Sequence, residues 1–193
     1  MLEAINQFDS ELFLYFNSRH SGFSDFFWQA VTETSTWIPL HILLIGLFVK
    51  TFRKSSIWVI CGALLVVLVC DQVTSTFMKP FFGRLRPCHD PIIGHLVHVV
   101  KSCGGRYGFV SSHAANAFGV AVYCWLMLRR YFRFSWLLFG WAGLVAFSRI
   151  MVGVHYPADI IVGSIVGVVA GWIVFKITDE LYFRYNLDPL IKS

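Results

Sequence analysis

Charged side chains are scarce in this 193-residue chain, where Asp, Glu, Lys and Arg together make up 14% of the residues. Soluble domains carry about 25%, so the composition excludes a water-soluble globule. The shortage is concentrated in blocks that lack all four residue types: 34–49, 55–70, 107–128, 134–148 and 160–175. With slightly polar ends added, each block approaches the roughly 20 residues that cross a bilayer core. The sequence therefore predicts an integral membrane protein.

Several functional classes lack their characteristic patterns. The glycine-rich stretch 104–108 does not end in Gly-Lys-Ser/Thr, so it is not a nucleotide-binding P-loop. No acidic cluster suggests a catalytic metal, and we expect neither a metal nor another cofactor. The net charge of +5 comes from basic residues scattered between apolar blocks rather than from a basic run or tail. We therefore do not expect nucleic acid as a partner.

The hydrophobic pattern predicts an all-α membrane bundle in one domain, 1–193. Residues 1–24 are predicted to form an amphipathic helix on the membrane surface, because apolar residues recur there at three- and four-residue spacing. Five transmembrane helices are predicted to follow, the first with a polar patch from Thr32 to Thr36. They cover 25–50, 56–78, 111–130, 134–153 and 157–178.

Two basic turns predict the orientation. The turn after the first span carries Lys50, Arg53 and Lys54, and the turn after the third carries Arg129, Arg130 and Arg133. The positive-inside rule places both in the cytoplasm. The connection 79–110 then lies outside the inner membrane, and the C-terminus lies in the cytoplasm.

Two of the five cysteines, Cys88 and Cys103, fall in the predicted outer connection, and two alternatives remain open for them. In an oxidising compartment they would form a disulfide that closes a loop of about 15 residues. They could also bind a metal together with neighbouring histidines, although the spacing matches no established zinc pattern. Those histidines are His89, His95 and His98.

Three polar clusters lie at span ends on the predicted outer face. They contain Lys79, Arg84 and Arg86, then Ser111, Ser112 and His113, and finally Ser148, Arg149, His155 and Asp159. Polar residues at membrane depth are usually functional. Guanidinium groups, hydroxyls and the free N–H groups of a helix N-terminus together suit a tetrahedral oxyanion such as phosphate. The two histidines could then supply a nucleophile and an acid.

These clusters resemble the type 2 phosphatidic acid phosphatase family, in its membrane lipid phosphatase branch. The family motifs are Lys-x6-Arg-Pro, Pro-Ser-Gly-His and Ser-Arg-x5-His-x3-Asp. The first matches from Lys79 to Pro87, and the third matches from Ser148 to Asp159 without gaps. The second departs from the pattern, because Val110 and Ser112 replace the family proline and glycine.

The resemblance implies metal-independent phosphoryl transfer through a phosphohistidine. His155 would attack phosphorus, and Asp159 would orient the His155 ring. His113 would protonate the leaving oxygen. The phosphate oxygens would be held by Lys79, Arg86, Ser111, Ser112 and Arg149. Arg84 would be an additional cation for a second phosphate or a lipid headgroup.

The expected substrate is a lipid phosphomonoester or diphosphate in the outer leaflet. Undecaprenyl diphosphate, phosphatidylglycerol phosphate, phosphatidate and lipid A phosphates all fit the motifs, which contact phosphate and not the tail. A phosphatase of a soluble compound such as a sugar phosphate is one alternative. A catalytically inactive transporter of lipid phosphates is another. The oligomeric state is left open.

Overall fold

The computed structural model describes residues 2–184, and within this range the chain is all-helical, as predicted. One isolated backbone bridge, between Leu85 and Tyr107, is the exception. The helices are α1 (Leu2–Asn17), α2 (Gly22–Thr32), α3 (Ile38–Phe52), α4 (Ser56–Asp71), α5 (Lys79–Phe82), α6 (Ser112–Leu128), α7 (Leu137–Met151) and α8 (Pro157–Arg184). The C-terminal residues 185–193, predicted to be cytoplasmic, lie outside the described range.

Three helical stretches are long and apolar enough to cross a membrane: Thr34–Phe82, Arg133–Met151 and Pro157–Leu181. The first stretch contains both α3 and α4, joined by the short turn Arg53–Ser55. Such stretches agree with the integral membrane protein that the composition predicts. The count of five crossings stays a prediction.

The predicted first span, 25–50, is broken in the structure. Helix α2 ends at Thr32, Glu33 adopts an extended conformation (φ −74°, ψ 127°), and a 3-10 turn occupies Thr34–Trp37. Pro39 lies in the first turn of α3, where its missing N–H costs nothing. The polar patch that the sequence places inside a span therefore forms a break between two helices.

The predicted interfacial helix 1–24 is also two elements, because α1 ends at Asn17 and α2 begins at Gly22. The buried face of α1 is formed by Asp9, Phe13 and Asn17, whereas Phe8 is 65% exposed. The helix therefore docks a face with two polar residues against the bundle. Asn17 anchors this contact: its side chain accepts from the His98 N–H at 2.8 Å and donates to the His98 carbonyl at 2.9 Å.

Helix α6 lies at the centre of the bundle and packs against α4, α7 and α8. Close approach to α8 depends on three glycines spaced four residues apart, at positions 163, 167 and 171. A Cβ at Gly163 would lie 2.6 Å from the Ser111 carbonyl oxygen, and one at Gly167 would collide with the Ala115 carbonyl. The absence of side chains on this face lets the two backbones touch.

The connection between α5 and α6 is tied together covalently. A disulfide joins Cys88 to Cys103, whose Cα atoms are 6.2 Å apart. Two backbone hydrogen bonds join the start of this connection to its end. The Arg86 N–H donates to the Arg106 carbonyl at 3.1 Å, and the Gly108 N–H donates to the Arg84 carbonyl at 2.9 Å. The predicted loop 79–110 begins only after α5, at Gly83, which has a φ of 58°. The disulfide and these hydrogen bonds fix the position of the segment that carries Arg84 and Arg86.

Gly167→Ala tests the close approach of α6 and α8. The added methyl group would lie 2.9 Å from the Gly119 backbone nitrogen, so we expect the free energy of unfolding to fall by about 1–3 kcal/mol. Gly140→Ala in α7 is the control, because no atom lies within 4 Å of its added Cβ. Thermal unfolding in detergent should show a lower melting temperature for Gly167→Ala alone. Equal melting temperatures would contradict the packing described.

Candidate active site

The turn between α7 and α8 brings Arg149 and His155 together. Arg149 lies in the last turn of α7, and its carbonyl accepts from the Val154 N–H at 3.1 Å and the His155 N–H at 3.3 Å. Gly153 makes this tight turn possible, because its φ of 84° lies in the left-handed region that favours glycine. His155 itself is fully enclosed, with 1% of its surface exposed.

Asp159 lies in the first turn of α8 and is completely buried. Its Oδ2 accepts from the Tyr156 N–H at 3.0 Å and lies 3.4 Å from His155 Nδ1. A carboxylate at a helix N-terminus satisfies free N–H groups and interacts favourably with the helix dipole. The same carboxylate orients the His155 ring.

Burial lowers the pKa of His155 well below its usual range, because the charged imidazolium would lose its hydration. The guanidinium groups of Arg149 and Arg86 lower it further by repulsion. The ring is therefore neutral at neutral pH, with a lone pair available on one nitrogen. A neutral, oriented imidazole is the form that acts as a nucleophile.

Arg84 is held between two carboxylates. Its guanidinium group donates to Asp159 Oδ1 at 2.9 Å and to Asp9 Oδ2 at 2.6 Å, and it lies 4.1 Å from the centre of the Tyr156 ring. We predicted a headgroup contact for Arg84, whereas the structure engages it with Asp9 and Asp159. Asp9 also accepts from the Ala158 N–H at 2.9 Å, which fixes α1 to the start of α8.

The N-terminus of α6 faces the same turn. Ser111 caps the helix by accepting from the Ala114 N–H, and its own N–H donates to the Asp159 carbonyl at 3.0 Å. The Ser112 hydroxyl accepts from Lys79 Nζ at 2.8 Å. It also lies 2.8 Å from the Thr74 hydroxyl. Ser112 stands where the family motif has glycine, and its hydroxyl therefore positions Lys79.

A polar cavity of about 260 Å³ is lined by the remaining predicted site residues, Arg86, Arg149 and His113. The Nε atoms of both arginines are buried and have no hydrogen-bond partner among the described residues. Arg149 Nη1 donates to the hydroxyl of Thr32, which also lines the cavity. Two cations with unused donors favour an anion in this space.

Three parts of the site were not predicted from the sequence. Asp9 looks like a polar-face residue of a surface helix, and no local pattern marks it as buried. Thr74 and Ser75 lie in a π-helical segment, Gln72–Met78, which turns both hydroxyls toward Ser112. The spacing could not reveal this, because a π-turn shifts residues off the α-helical register. Thr32 belongs to a polar patch that was visible in the sequence.

The alternative metal site is not assembled. Cys88 and Cys103 are joined in the disulfide, and His98 lies elsewhere, stacked on His20 with ring centres 3.7 Å apart. His98 Nε2 also lies 2.9 Å from Asp25. His89 lies within 4.8 Å of the two cysteines, whereas His98 belongs to a separate group with His20 and Asp25.

The site defines a class: an α-helical membrane protein with an anion pocket beside a buried, oriented histidine. A family model described as the PAP2 superfamily matches residues 56–183. The chain belongs to this superfamily, which confirms the resemblance of its motifs, and it is an integral membrane protein.

Several similar proteins carry the names of lipid phosphatases. A lipid A 4'-phosphatase of Bacteroides thetaiotaomicron is 33% identical over 191 residues, which cover 97% of this chain and 84% of that protein. The undecaprenyl-diphosphatase BcrC of Bacillus subtilis is 26% identical over 166 residues, covering 85% and 80%. The crystal structure of Aquifex aeolicus LpxE shares 26% identity and a TM-score of 0.64, covering 86% and 93%.

Asp9→Asn tests whether α1 is part of this site. Removing one carboxylate leaves Arg84 partly unpaired, so the free energy of unfolding should fall by about 1–3 kcal/mol. Glu11→Gln is the matched control, an exposed acid on the same helix whose change should stay within about 0.5 kcal/mol. Thermal unfolding of both variants measures the difference. If both variants melt at the wild-type temperature, the Asp9–Arg84 pair does not hold α1.

Proposed function

We propose that this protein is a metal-independent phosphatase of membrane lipids that works through a phosphohistidine. The observation that carries the proposal is the buried His155, whose Nδ1 lies 3.4 Å from Asp159 Oδ2 at the turn that follows Arg149. Arg86 and Arg149 line the cavity that also contains His113. A nucleophile, a phosphate clamp and a second histidine are the groups that such a reaction needs.

In the first step, Nε2 of His155 attacks phosphorus, because Nδ1 is directed at Asp159. A nitrogen–phosphorus bond forms as the bond from phosphorus to the lipid oxygen breaks. His113 gives its proton to the departing oxygen, so the lipid leaves as an alcohol or a lipid monophosphate. The ring of His155 gains positive charge, which the Asp159 carboxylate stabilises.

Charge builds on the phosphoryl oxygens during this transfer. Arg86 and Arg149 supply guanidinium donors, Lys79 supplies an ammonium group, and the α6 N-terminus supplies the Ser111 hydroxyl and the Ser112 amide. A water molecule then attacks the phosphohistidine, with His113 taking its proton. Inorganic phosphate leaves and His155 returns to its neutral form.

The substrate that we propose is a lipid phosphate in the outer leaflet. Relatives named lipid A 4'-phosphatase and undecaprenyl-diphosphatase support a lipid, as do the apolar stretches that would hold the protein in the membrane.

We further propose five crossings of the inner membrane with the site outside. An impermeant amine reagent should then label Lys101 in intact cells, and labelling only after lysis would refute this orientation.

The function is tested by phosphate release from purified protein in EDTA. The panel contains a lipid A phosphate, undecaprenyl diphosphate, phosphatidate, phosphatidylglycerol phosphate and glucose 6-phosphate. We expect release from at least one lipid and far less from the sugar phosphate. Release from the sugar phosphate alone would favour a soluble substrate, whereas no release would favour the inactive transporter.

The two histidines should respond differently to the leaving group. His155→Ala should abolish turnover of every phosphoester, because the nucleophile is always needed. His113→Ala should lower hydrolysis of an alkyl phosphate lipid by about 100-fold or more, since an alkoxide leaves poorly without a proton. It should spare the phosphohistidine-forming step with nitrophenyl phosphate, whose phenolate leaves unaided. A rapid-quench burst measures that step.

The opposite pattern would exchange the roles. If His113→Ala fails equally on both substrates while His155→Ala retains activity on nitrophenyl phosphate, His113 is the nucleophile.

A further inference from the structure

Three side chains that can bind a metal meet outside the phosphate cavity. They are His20, Asp25 and His98, and each offers a ligand atom within 4.8 Å of the other two. His98 Nε2 lies 2.9 Å from Asp25 Oδ2, and its ring is stacked on that of His20 with 3.7 Å between the centres. None of the three lines the phosphate cavity. The group therefore has no part in the site already described.

The backbone brings these residues together from separate parts of the chain. His20 lies in the turn between α1 and α2, Asp25 in the first turn of α2, and His98 in the connection between α5 and α6. The His98 backbone is fixed, because its N–H and its carbonyl both bond to the side chain of Asn17, the last residue of α1. Ser21 caps α2 on the other side of His20. The three positions are therefore held in place by contacts that do not use the three side chains.

Two imidazoles and one carboxylate are a ligand set for a divalent transition metal. Imidazole suits Zn²⁺, Cu²⁺, Fe²⁺ and Ni²⁺, whereas Mg²⁺ and Ca²⁺ prefer oxygen ligands. In a tetrahedral site with bonds of about 2.0–2.1 Å to zinc, neighbouring ligand atoms lie about 3.3 Å apart. The separation of His98 Nε2 from Asp25 Oδ2 is already close to this distance. His20 is exposed, so its ring can turn its nitrogen toward a shared ion.

Nearby basic residues do not occupy the Asp25 carboxylate. Arg19 precedes His20 in the chain, but its guanidinium group lies 3.9 Å from the centre of the Tyr15 ring. Lys101 belongs to the same connection as His98 and pairs with Glu33 at 2.9 Å. The negative charge of Asp25 is therefore available to a cation at the two histidines.

We propose that His20, Asp25 and His98 bind one divalent transition-metal ion, such as Zn²⁺, with water in the remaining position. His98 binds through Nε2, which places its ring proton on Nδ1. The ion joins the turn between α1 and α2 to the connection between α5 and α6. Its role is structural, because its ligands lie outside the cavity in which we place phosphoryl transfer. The inference does not depend on the proposed phosphatase function.

The probe is Zn²⁺, titrated by calorimetry into the full chain in detergent after purification through a tag without histidine and removal of metals with EDTA. The wild type should bind one Zn²⁺ per chain. Its melting temperature should rise with the Zn²⁺ concentration, because an ion that binds the folded state stabilises it. Mg²⁺ should produce neither effect, since two of the three ligands are nitrogens.

The principal variant is His20→Ala, because removing an exposed side chain should leave the fold intact. Loss of a group that supports a ligand lowers metal affinity about 10–100-fold, so loss of a ligand should lower it by at least about tenfold. Asp25→Asn should also weaken binding. His95→Ala is the matched control, an exposed histidine in the same connection as His98 but outside the group, and it should bind Zn²⁺ like the wild type.

The inference would be overturned if the wild type bound no Zn²⁺, or if His20→Ala bound it with wild-type affinity. An equal loss of affinity in His95→Ala would also overturn it, because it would indicate adventitious binding to surface histidines. Phosphate release in EDTA tests the proposed function separately, so either proposal can fail without the other.

Discussion

The close approach of α6 and α8 is the constraint on which the site depends. Gly163 lets the Ser111 backbone come within contact distance of α8, where the Ser111 N–H bonds to the Asp159 carbonyl. This single bond brings the N-terminus of α6, the proposed phosphate-binding end, beside the carboxylate that orients His155 on α8. A larger side chain on the glycine face would separate His113 from His155 even if every proposed functional residue were retained.

The distribution of charge follows from that geometry. Asp159 is completely buried and needs a cation, yet the cations around the cavity are the ones that we propose for phosphate. Arg84 supplies a separate cation, because it binds Asp159 and Asp9 together. The Nε donors of Arg86 and Arg149 stay buried without a hydrogen-bond partner among the described residues. The local division between a structural cation and the proposed phosphate-binding cations would be invisible in a net charge.

The sequence predicted much of this fold and site, because hydropathy marks helices and the three motifs are specific. The predicted span 111–130 corresponds to α6, Ser112–Leu128. The failures have physical causes. Periodicity locates an amphipathic face but cannot say that Asp9 is buried, since its partner Arg84 is 75 residues away. The break at Glu33 was not predicted because the apolar residues on both sides of it resemble one continuous transmembrane span.

The contacts of Asp9 also bear on how the protein is made. The first helix leaves the ribosome early, but Ala158, whose N–H Asp9 accepts, is synthesised 149 residues later. The Asp9 contact of helix α1 therefore cannot form until the start of the final helix has been made, although Asn17 can already bind His98. The proposed nucleophile His155 and the residues that fix it come together last, so a chain that lacks α8 carries no assembled site.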